Sequence, residues 1–240
     1  MRIVTYNVRG FRDGVDRVLG VVRALRPDVL LLQETGSRRS LRRLAVEASM
    51  RAASDPWSPG RRRVKNAVLL AQPWRPASIE LVRFAGSRRW YPRGALVVRA
   101  VSDAGPSLWL VSTHFGLEGS ERGRQVDSLL RVVAGSGQAP AMVGGDLNAT
   151  PEMRVPARIA ADLSDAWAAA GRGDGSTFPA SEPSARIDYL FASGPLRVGN
   201  ASVGGEGSAE ASDHLPVCAD VAFVADGTVT TWRGFPELGS

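Results

Sequence analysis

The segment AMVGGDLN, residues 141–148, decides the fold of this 240-residue chain. Its small and apolar beginning, Ala141 to Gly145, has the length and composition of a buried strand. An acid and an amide, Asp146 and Asn148, come directly after it, and α/β proteins gather ligand sites at such strand ends. The same residues also fit an ordinary Gly-Gly loop. The choice between a site and a loop therefore depends on the rest of the chain.

Other predicted strands end or begin beside a residue that can bind a metal ion or a phosphate group. At strand ends these residues are Asn7, Glu34 and His114, with strands predicted over 2–7, 29–33 and 108–113. Beside strand starts they are Asp188 and Asp213-His214, with strands predicted over 187–192 and 217–224. Taken alone, each has an ordinary alternative as a turn residue, a solvated acid or a structural histidine.

Strands with interspersed helices predict an α/β domain in which helices cover two packed sheets. Thr150-Pro151-Glu152 combines a capping hydroxyl, a proline and an acid, which predicts a short helix beginning there. The Gly- and Ser-rich stretches 171–184 and 204–212 are expected to be loops. The other predicted elements are strands over 64–71, 78–84 and 95–101 and helices over 15–25, 41–50 and 122–133.

Composition limits the class of protein. With 44% hydrophobic residues the chain can bury a core, so we expect one domain over residues 1–240, with a loose tail over 226–240. No apolar run approaches the roughly 20 residues that span a bilayer, and the N-terminus lacks a signal-peptide core. We therefore expect a soluble, cytoplasmic protein that is a monomer. The single cysteine, Cys218, rules out an internal disulfide and a thiolate metal site.

Positive charge is concentrated in one segment. Residues 38–99 hold fourteen Arg, one Lys and three acids, a net charge of +12. Arg presents a planar fork that suits phosphate oxygens, so this segment is a candidate surface for nucleic acid or anionic lipid. The alternative is a set of solvated surface charges that reflects a coding preference for Arg.

The carboxylates and amides suit a magnesium site. Mg²⁺ takes hard oxygen ligands and uses one or two carboxylates together with substrate phosphate. Glu34 and Asp213 can supply those carboxylates, with the amide oxygen of Asn7 as a helper. We therefore predict Mg²⁺ as the cofactor, with Mn²⁺ as a substitute.

The remaining residues suit hydrolysis at phosphorus. Asp146 can orient or deprotonate an attacking water, and the amide of Asn148 can donate to a phosphate oxygen. Asp188 beside His214 would fix the tautomer of the ring and favour its cation, which suits stabilisation of a pentacovalent phosphorus oxyanion. His114 could do likewise from another side.

In six ordered motifs across 213 residues, the chain resembles the endonuclease/exonuclease/phosphatase superfamily of DNase I-like metal-dependent phosphoesterases. The motifs are TYNVRG (5–10), LLQET (31–35), STHFGL (112–117), GGDLNATP (144–151), RIDYLF (186–191) and SDHLPV (212–217). The resemblance implies a four-layer α/β/β/α sandwich, in which two mixed sheets pack face to face inside outer helices. It also implies metal-dependent hydrolysis of a phosphate ester.

The resemblance further implies a role for each matched residue. Glu34 would be the main Mg²⁺ ligand, with Asn7 and Asp213 close to the ion. Asp146 would orient the water or act as the base, and Asp188 would support His214. Phosphate would be bound by Asn148, His114 and His214, and Arg93 is a further candidate for a phosphate or scaffold contact.

We therefore predict a Mg²⁺-dependent phosphodiesterase that acts by in-line attack of an activated water, with nucleic acid as substrate because of the Arg-rich segment. A phospholipid or small-molecule phosphoesterase is the first alternative, and a non-catalytic binding module is the second. Exposed aromatic loops would favour a lipid. The candidates are Pro56-Trp57, Pro73-Trp74 and Arg89-Trp90-Tyr91, which could equally stack on bases or pack into the body.

Two departures from family patterns bear on the substrate. Thr113-His114 stand where abasic-site endonucleases carry a tyrosine-based motif, which counts against that specialisation. Asn66 stands where we would expect deoxyribonucleases to carry an acid that supports the histidine of STHFGL.

Overall fold

Strands and helices alternate along the chain. The computed structural model describes residues 1–55, 63–86, 91–103, 107–225 and 228–230. Its helices are α1 (Val15–Leu25), α2 (Arg38–Glu47), α3 (Gly119–Ala134), α4 (Arg154–Ala160), α5 (Ala166–Ala170) and α6 (Ser208–Ala211), with a 3₁₀ turn over Arg9–Phe11. Its strands are β1 (Arg2–Asn7), β2 (Val29–Gln33), β3 (Arg51–Ser54), β4 (Ala67–Leu70), β5 (Arg75–Arg83), β6 (Gly94–Val101), β7 (Leu108–His114), β8 (Ala141–Asp146), β9 (Ser164–Asp165), β10 (Asp188–Ala192), β11 (Leu196–Val203), β12 (Val217–Ala225) and β13 (Thr228–Thr230).

The strands form two mixed sheets. The order in the first sheet is β11-β12-β1-β2-β4-β3, and β13 also pairs with β12; the order in the second is β5-β6-β7-β8-β10-β9. Each sheet has one parallel pair, β1 with β2 and β7 with β8, among antiparallel neighbours. The predicted α/β class with two mixed sheets is confirmed.

Apolar side chains form three clusters between four layers. Leu31, Leu110 and Leu190 belong to the cluster between the sheets, and all are fully or almost fully buried. A second cluster includes residues of α1 and α2 with outward-facing residues of the first sheet. A third includes residues of α3 and α4 with outward-facing residues of the second sheet. These clusters confirm the four-layer sandwich that the sequence motifs imply.

Strand direction brings distant residues to one edge of the sandwich. Asn7 ends β1, and its Cα is opposite Gln33 at the end of the parallel strand β2. His114 ends β7 opposite Asp146 at the end of the parallel strand β8. Asp188 begins β10, which runs antiparallel to β8, so its Cα is also opposite Asp146. Ends of parallel strands and starts of antiparallel strands therefore meet at the same edge.

The two glycines of AMVGGDLN allow close packing behind this edge. A Cβ on Gly144 would lie 2.7 Å from Cδ1 of Leu31 and 3.1 Å from Cβ of Thr5, both in the opposite sheet. A Cβ on Gly145 would lie 1.9 Å from the backbone oxygen of Thr113 in the neighbouring strand β7. Both positions lack room for a side chain, so glycine is required by packing.

Several element boundaries differ from the sequence prediction. The predicted helix start at Thr150-Pro151-Glu152 is wrong. Pro151 and Glu152 form a turn, and α4 begins at Arg154. The stretch 204–212 is not entirely loop, since it contains α6. Short or largely exposed strands were also missed, namely β3, β9, β11 and β13. In such strands the apolar signal of a buried segment is weak.

Two other expectations have a partial outcome. Within the tail expected to be loose, Thr228–Thr230 form β13 and pair with β12, whereas 226–227 and 231–240 lie outside the described residues. Cys218 is buried in the body of the protein, as expected. No helix in the described part of the chain has the length and apolarity that crossing a membrane requires.

Gly145→Ala should lower the free energy of unfolding by about 1–3 kcal/mol, because the new methyl group would overlap the backbone of β7. Gly20→Ala is the matched control, since a Cβ there meets nothing within 4 Å on an exposed position of α1. This control should raise the free energy by about 0.5–1 kcal/mol, because alanine is the better helix residue. Urea unfolding measures both, and equal stability of the two variants would contradict the close approach of β7 and β8.

Candidate active site

Asp146 lies at the centre of the site and is 2% exposed. Its Oδ2 accepts a hydrogen bond from Nδ2 of Asn7 at 3.0 Å, and its Oδ1 accepts one from the backbone N–H of Asn148 at 2.8 Å. The same Oδ2 lies 3.3 Å from Nε2 of His114 and 3.8 Å from Nε2 of His214. One carboxylate thus faces four other residues that the sequence singled out.

These neighbours stabilise the charge of Asp146. Burial alone would raise the pKa of this carboxyl, but the two histidines and the N–H of Asn148 hold the pKa far below its usual range. A carboxylate with so low a pKa is a weak base and remains an acceptor of hydrogen bonds across the physiological pH range. Asp146 is therefore better suited to orient a water than to deprotonate one before the reaction.

A second buried acid, Asp188, holds His214. Oδ2 of Asp188 lies 2.9 Å from Nδ1 of His214 and accepts a hydrogen bond from the hydroxyl of Thr177 at 2.7 Å. The ring of Phe178 packs against the imidazole with 4.9 Å between centroids. The sequence motifs predicted the pair of Asp188 and His214, whereas Thr177 and Phe178 lie in the stretch predicted as a surface loop.

His214 is protonated at neutral pH. Burial would lower its pKa, but the charge and hydrogen bond of Asp188, together with Asp146 and Asp213, raise it to about 10. Nδ1–H donates to Asp188, which leaves Nε2–H facing Asp146 at 3.8 Å, too long for a hydrogen bond. This N–H is therefore a charged donor that can bind an anionic oxygen.

The loop that carries His214 is fixed to the first sheet and to the loop before β10. The hydroxyl of Ser212 donates to the backbone oxygen of Asn7 at 2.7 Å. The backbone N–H of Leu215 donates to the oxygen of Thr177 at 2.8 Å. These bonds hold His214 between the end of β1 and the loop before β10.

His114 is buried between a cation and an acid. Nη1 of Arg93 lies 2.6 Å from each ring nitrogen, and Nδ2 of Asn148 lies 3.3 Å from Nε2. Burial lowers the pKa of Arg93, and Asp146 and Glu34 oppose this effect. The structure thus places Arg93 beside His114, as part of the same group of side chains.

Glu34 faces the pocket next to this group. Its backbone is left-handed, with φ +52°, which is uncommon for a non-glycine residue and is held by a 2.7 Å hydrogen bond from the N–H of Gly10 to its oxygen. Glu34, Arg93 and His114 line one pocket of about 240 Å³. Among the described residues, the Glu34 carboxylate has no hydrogen bond or ion pair.

Asp213 differs from the other predicted site residues. Its Oδ2 lies 3.2 Å from Nε of Arg9, and its side chain is 35% exposed. The Asp213 carboxylate therefore forms an ion pair with Arg9, and it accepts a hydrogen bond from the hydroxyl of Ser212. Arg9 was not singled out by the sequence motifs, although it lies within TYNVRG.

A buried polar seam joins the two sheets behind the pocket. Nε2 of Gln33 donates to the hydroxyl of Ser112 at 3.1 Å, and that hydroxyl donates to the backbone oxygen of Leu32 at 2.8 Å. Nδ2 of Asn66 donates to the backbone oxygens of Gly94 and Ser112. Asn66 therefore links the start of β4 to β6 and β7 through backbone oxygens.

Two places in the site could hold a metal ion. Ligand atoms of Asp146, Asp188 and His214 lie within 4.8 Å of one another. Here, however, the cationic ring of His214 already binds Asp188, and an imidazolium has no lone pair for a metal. The carboxylate of Glu34, which has no partner among the described residues, is the better candidate.

Cations dominate the lining of the pocket beside the site. Arg9, Arg12, Arg63, Lys65 and Arg93 line it, with Glu34 as its acid among the described residues. Only part of the Arg-rich segment 38–99 contributes, since Arg39, Arg42 and Arg43 lie together on α2. Among the described residues, cations of that segment are thus found both at the pocket and on an outer helix.

Solved structures share this fold and define its class as DNase I-like. An endonuclease/exonuclease/phosphatase from Bacteroides vulgatus is 20% identical, and its structure superposes with a TM-score of 0.81. The match covers 92% of this chain and 98% of that chain. Truncated TDP2 from Caenorhabditis elegans is 23% identical with a TM-score of 0.73, covering 93% of this chain and 97% of that chain. A mannosyl-6-phosphatase from Bacteroides thetaiotaomicron is 16% identical with a TM-score of 0.79, covering 93% of this chain and 100% of that chain. No curated protein sequence matches significantly.

The family assignment comes from the sequence match. The model of the Endonuclease/Exonuclease/phosphatase family matches residues 4–214, which include every candidate site residue. The chain therefore belongs to this family of phosphoesterases, whose members generally depend on a divalent metal. The resemblance stated from the six motifs is confirmed.

Asp188→Asn should bring the pKa of His214 from about 10 to the ordinary value of about 6.5 or below, because burial remains while the main opposing charge is lost. NMR titration of the imidazole resonances measures this change. The chain has two histidines, so His114→Gln assigns the signals. Asp162→Asn, at an exposed acid, should leave the titration unchanged; an unaltered His214 titration in Asp188→Asn would show that Asp188 does not hold the charge.

Proposed function

We propose that the protein is a Mg²⁺-dependent phosphodiesterase that hydrolyses nucleic acid by in-line attack of a water molecule. The observation that supports this most is that a buried anion and a buried cation lie side by side. Asp146 is a buried anion that can orient water, and His214 is a buried cation whose Nε2–H is free to bind an anionic oxygen. A reaction in which water attacks a phosphate needs both groups side by side.

The proposed reaction uses Asp146 to position the attacking water. The water oxygen forms a new bond to phosphorus while the bond from phosphorus to the leaving oxygen breaks. The proton released by the water balances the proton taken up by the leaving oxygen. Because Asp146 is a weak base, its contribution is mainly to orient the water and to accept its hydrogen bond as the proton becomes acidic.

Charge on the phosphate oxygens is stabilised by donors around Asp146. His214 contributes a charged N–H. Asn148 could contribute an amide N–H only by releasing the oxygen of Phe115 or Nε2 of His114, which lie 2.9 Å and 3.3 Å from its Nδ2. Arg93 and His114 lie 2.6 Å apart on the opposite side of Asp146 from the Asp188 pair, so they can bind another oxygen. Fixed donors in a buried site stabilise developing charge because they need little reorganisation.

The residues present fit a magnesium ion. Glu34 offers a carboxylate without a partner among the described residues, which is the type of ligand that Mg²⁺ prefers. Asn7 lies at the end of the neighbouring strand, and its amide oxygen already accepts the backbone N–H of Arg9 at 3.1 Å. Asp213 could join only by leaving Arg9. A bound Mg²⁺ would polarise the phosphate and neutralise its charge.

The charge of the pocket supports a nucleic acid as substrate. Five cations against one acid favour a polyanion, and four of those cations are Arg. Of the aromatic loops that would favour a lipid, Pro73-Trp74 cannot insert into a membrane surface, because Trp74 is buried in the core. Trp57 and Trp90 lie outside the described residues. Tyr91 is 67% exposed beside the pocket and could stack on a base or a sugar.

A sugar phosphate is the second candidate. The pocket of about 240 Å³ is slightly below the roughly 300 Å³ at which small-ligand sites begin, so a compact phosphate ester would fill it. One structural neighbour is a mannosyl-6-phosphatase. A sugar phosphate carries one phosphate group, whereas a nucleic acid carries several.

Glu34→Gln and Asp146→Asn should each reduce kcat by at least about a hundredfold, because each removes one positioned charge. Steady-state hydrolysis of a phosphodiester measures this, and circular dichroism checks the fold. Glu80→Gln and Asp162→Asn make the same chemical changes at exposed positions and should retain activity. Full activity in Glu34→Gln or Asp146→Asn would reject the role assigned to that residue.

Cleavage should require Mg²⁺ or Mn²⁺ and should be strongest on nucleic acid. The panel contains linear and supercoiled DNA, RNA, an abasic duplex, sphingomyelin, phosphoinositides and mannose 6-phosphate, each assayed with Mg²⁺ and with EDTA. Glu34→Gln serves as the inactive control. Hydrolysis of mannose 6-phosphate alone would select the second candidate, cleavage of lipid alone would contradict both, and turnover in EDTA would remove the metal from the proposal.

A further inference from the structure

Arg63 is a buried cation whose side chain is only partly bonded. It is 3% exposed, although arginine is rarely buried without a partner for its charge. Nη2 donates to the backbone oxygen of Gly36 and lies 3.5 Å from the hydroxyl of Thr35. Nε and Nη1 are buried and have no hydrogen-bond partner. Two strong donors are therefore unused in a site where water has little access.

Among the described residues, no acid neutralises Arg63 directly. Burial lowers its pKa, Arg38 lowers it further, and Asp55 opposes both only through longer-range attraction. Among the described residues, no ion pair joins Arg63 to a carboxylate. An unpaired buried charge is unfavourable, so an anion that arrives from outside would stabilise Arg63.

Arg63 lies beside the active site. Arg63 lines the same 240 Å³ pocket as Arg93 and His114. Its position is fixed by the segment Glu34–Gly36, since Thr35 donates its backbone N–H to the oxygen of Lys65 at 2.9 Å. Lys65 and Arg12 add positive charge to the same wall. This wall is therefore suited to an anion that is separate from the one at Asp146 and His214.

We propose that Arg63 binds a second phosphate group of the substrate, the internucleotide phosphate next to the one that is cleaved. This inference rests on the proposed phosphodiesterase function and extends it, because it selects a substrate with consecutive phosphates over an ester with one phosphate. A guanidinium forms charge-assisted hydrogen bonds to phosphate oxygens, and Arg63 has two nitrogens without a hydrogen-bond partner, Nε and Nη1, on opposite edges of the group.

The first test compares two substrates in Arg63→Met and the wild type. Cleavage of a ten-nucleotide DNA should lose at least about tenfold in kcat/KM, since a charge-assisted contact is lost. Hydrolysis of bis(p-nitrophenyl) phosphate, which has one phosphate, should change by less than about twofold. Arg39→Met is the matched control, because Arg39 is an exposed residue of α2 outside this pocket, and it should alter neither substrate.

The second test measures anion binding without catalysis. In metal-free buffer, inorganic pyrophosphate should raise the Tm of the wild type and of Arg39→Met, and the rise should be lost in Arg63→Met. Without anion, Arg63→Met should be at least as stable as the wild type, because an unpaired buried charge is removed. If Arg63→Met does not fold, Arg63→Gln takes its place in both tests.

The outcomes separate the two proposals. Equal loss on both substrates, or a full pyrophosphate shift in Arg63→Met, would show that Arg63 does not bind a second phosphate. If the wild type cleaves neither substrate, the proposed function fails, and the pyrophosphate test still decides whether Arg63 binds an anion. A selective loss on DNA together with loss of the Tm shift would establish the second phosphate site.

Discussion

The close approach of two sheets behind Asp146 is the constraint on which the site depends. Gly144 leaves no space for a side chain against Leu31 and Thr5, so the two sheets meet there with side chains of one sheet against backbone of the other. At the edge of this contact, Asn7 from one sheet donates to Asp146 from the other at 3.0 Å. A bulkier residue in place of Gly144 would push the two sheets apart and so separate Asn7 from Asp146.

This packing also sets the electrostatics of the site. Asp146 and Asp188 are both buried, and their Cα atoms are opposed in adjacent strands, yet their surroundings differ. Asp146 faces several donors, which lower its pKa, whereas burial raises the pKa of Asp188, with His214 as its main compensation. Environments that shift the pKa values of neighbouring acids in opposite directions are typical of sites in which the two acids have different catalytic roles. Here they favour a water-orienting anion and a phosphate-binding cation within 4 Å of each other, since Oδ2 of Asp146 and Nε2 of His214 are 3.8 Å apart.

Much of this arrangement could be predicted from the sequence because strand ends are local features. Each candidate residue adjoins a short apolar run, and the direction of the strands then brings the candidates to one edge. Thr177 and Arg63 could not be found in this way, since both lie outside strands and their roles depend on contacts with distant residues. The start of α4 was misplaced for a related reason. Thr150-Pro151-Glu152 has the composition of a helix start, but the turn that it forms ends before the helix begins at Arg154.

The polar seam explains why the pocket keeps its shape although its walls come from different sheets. Gln33, Ser112 and Asn66 are buried, and each is hydrogen-bonded to a neighbouring strand. Apolar side chains would pack there equally well but would tolerate a slip in register, and a slip of one residue would turn Glu34 or His114 to the other face of its sheet. Hydrogen bonds with defined partners oppose such a slip, because it would leave buried polar groups unpaired. Asn66, at the position where we would expect an acid in deoxyribonucleases, therefore contributes to the position of His114 through the strands that it joins.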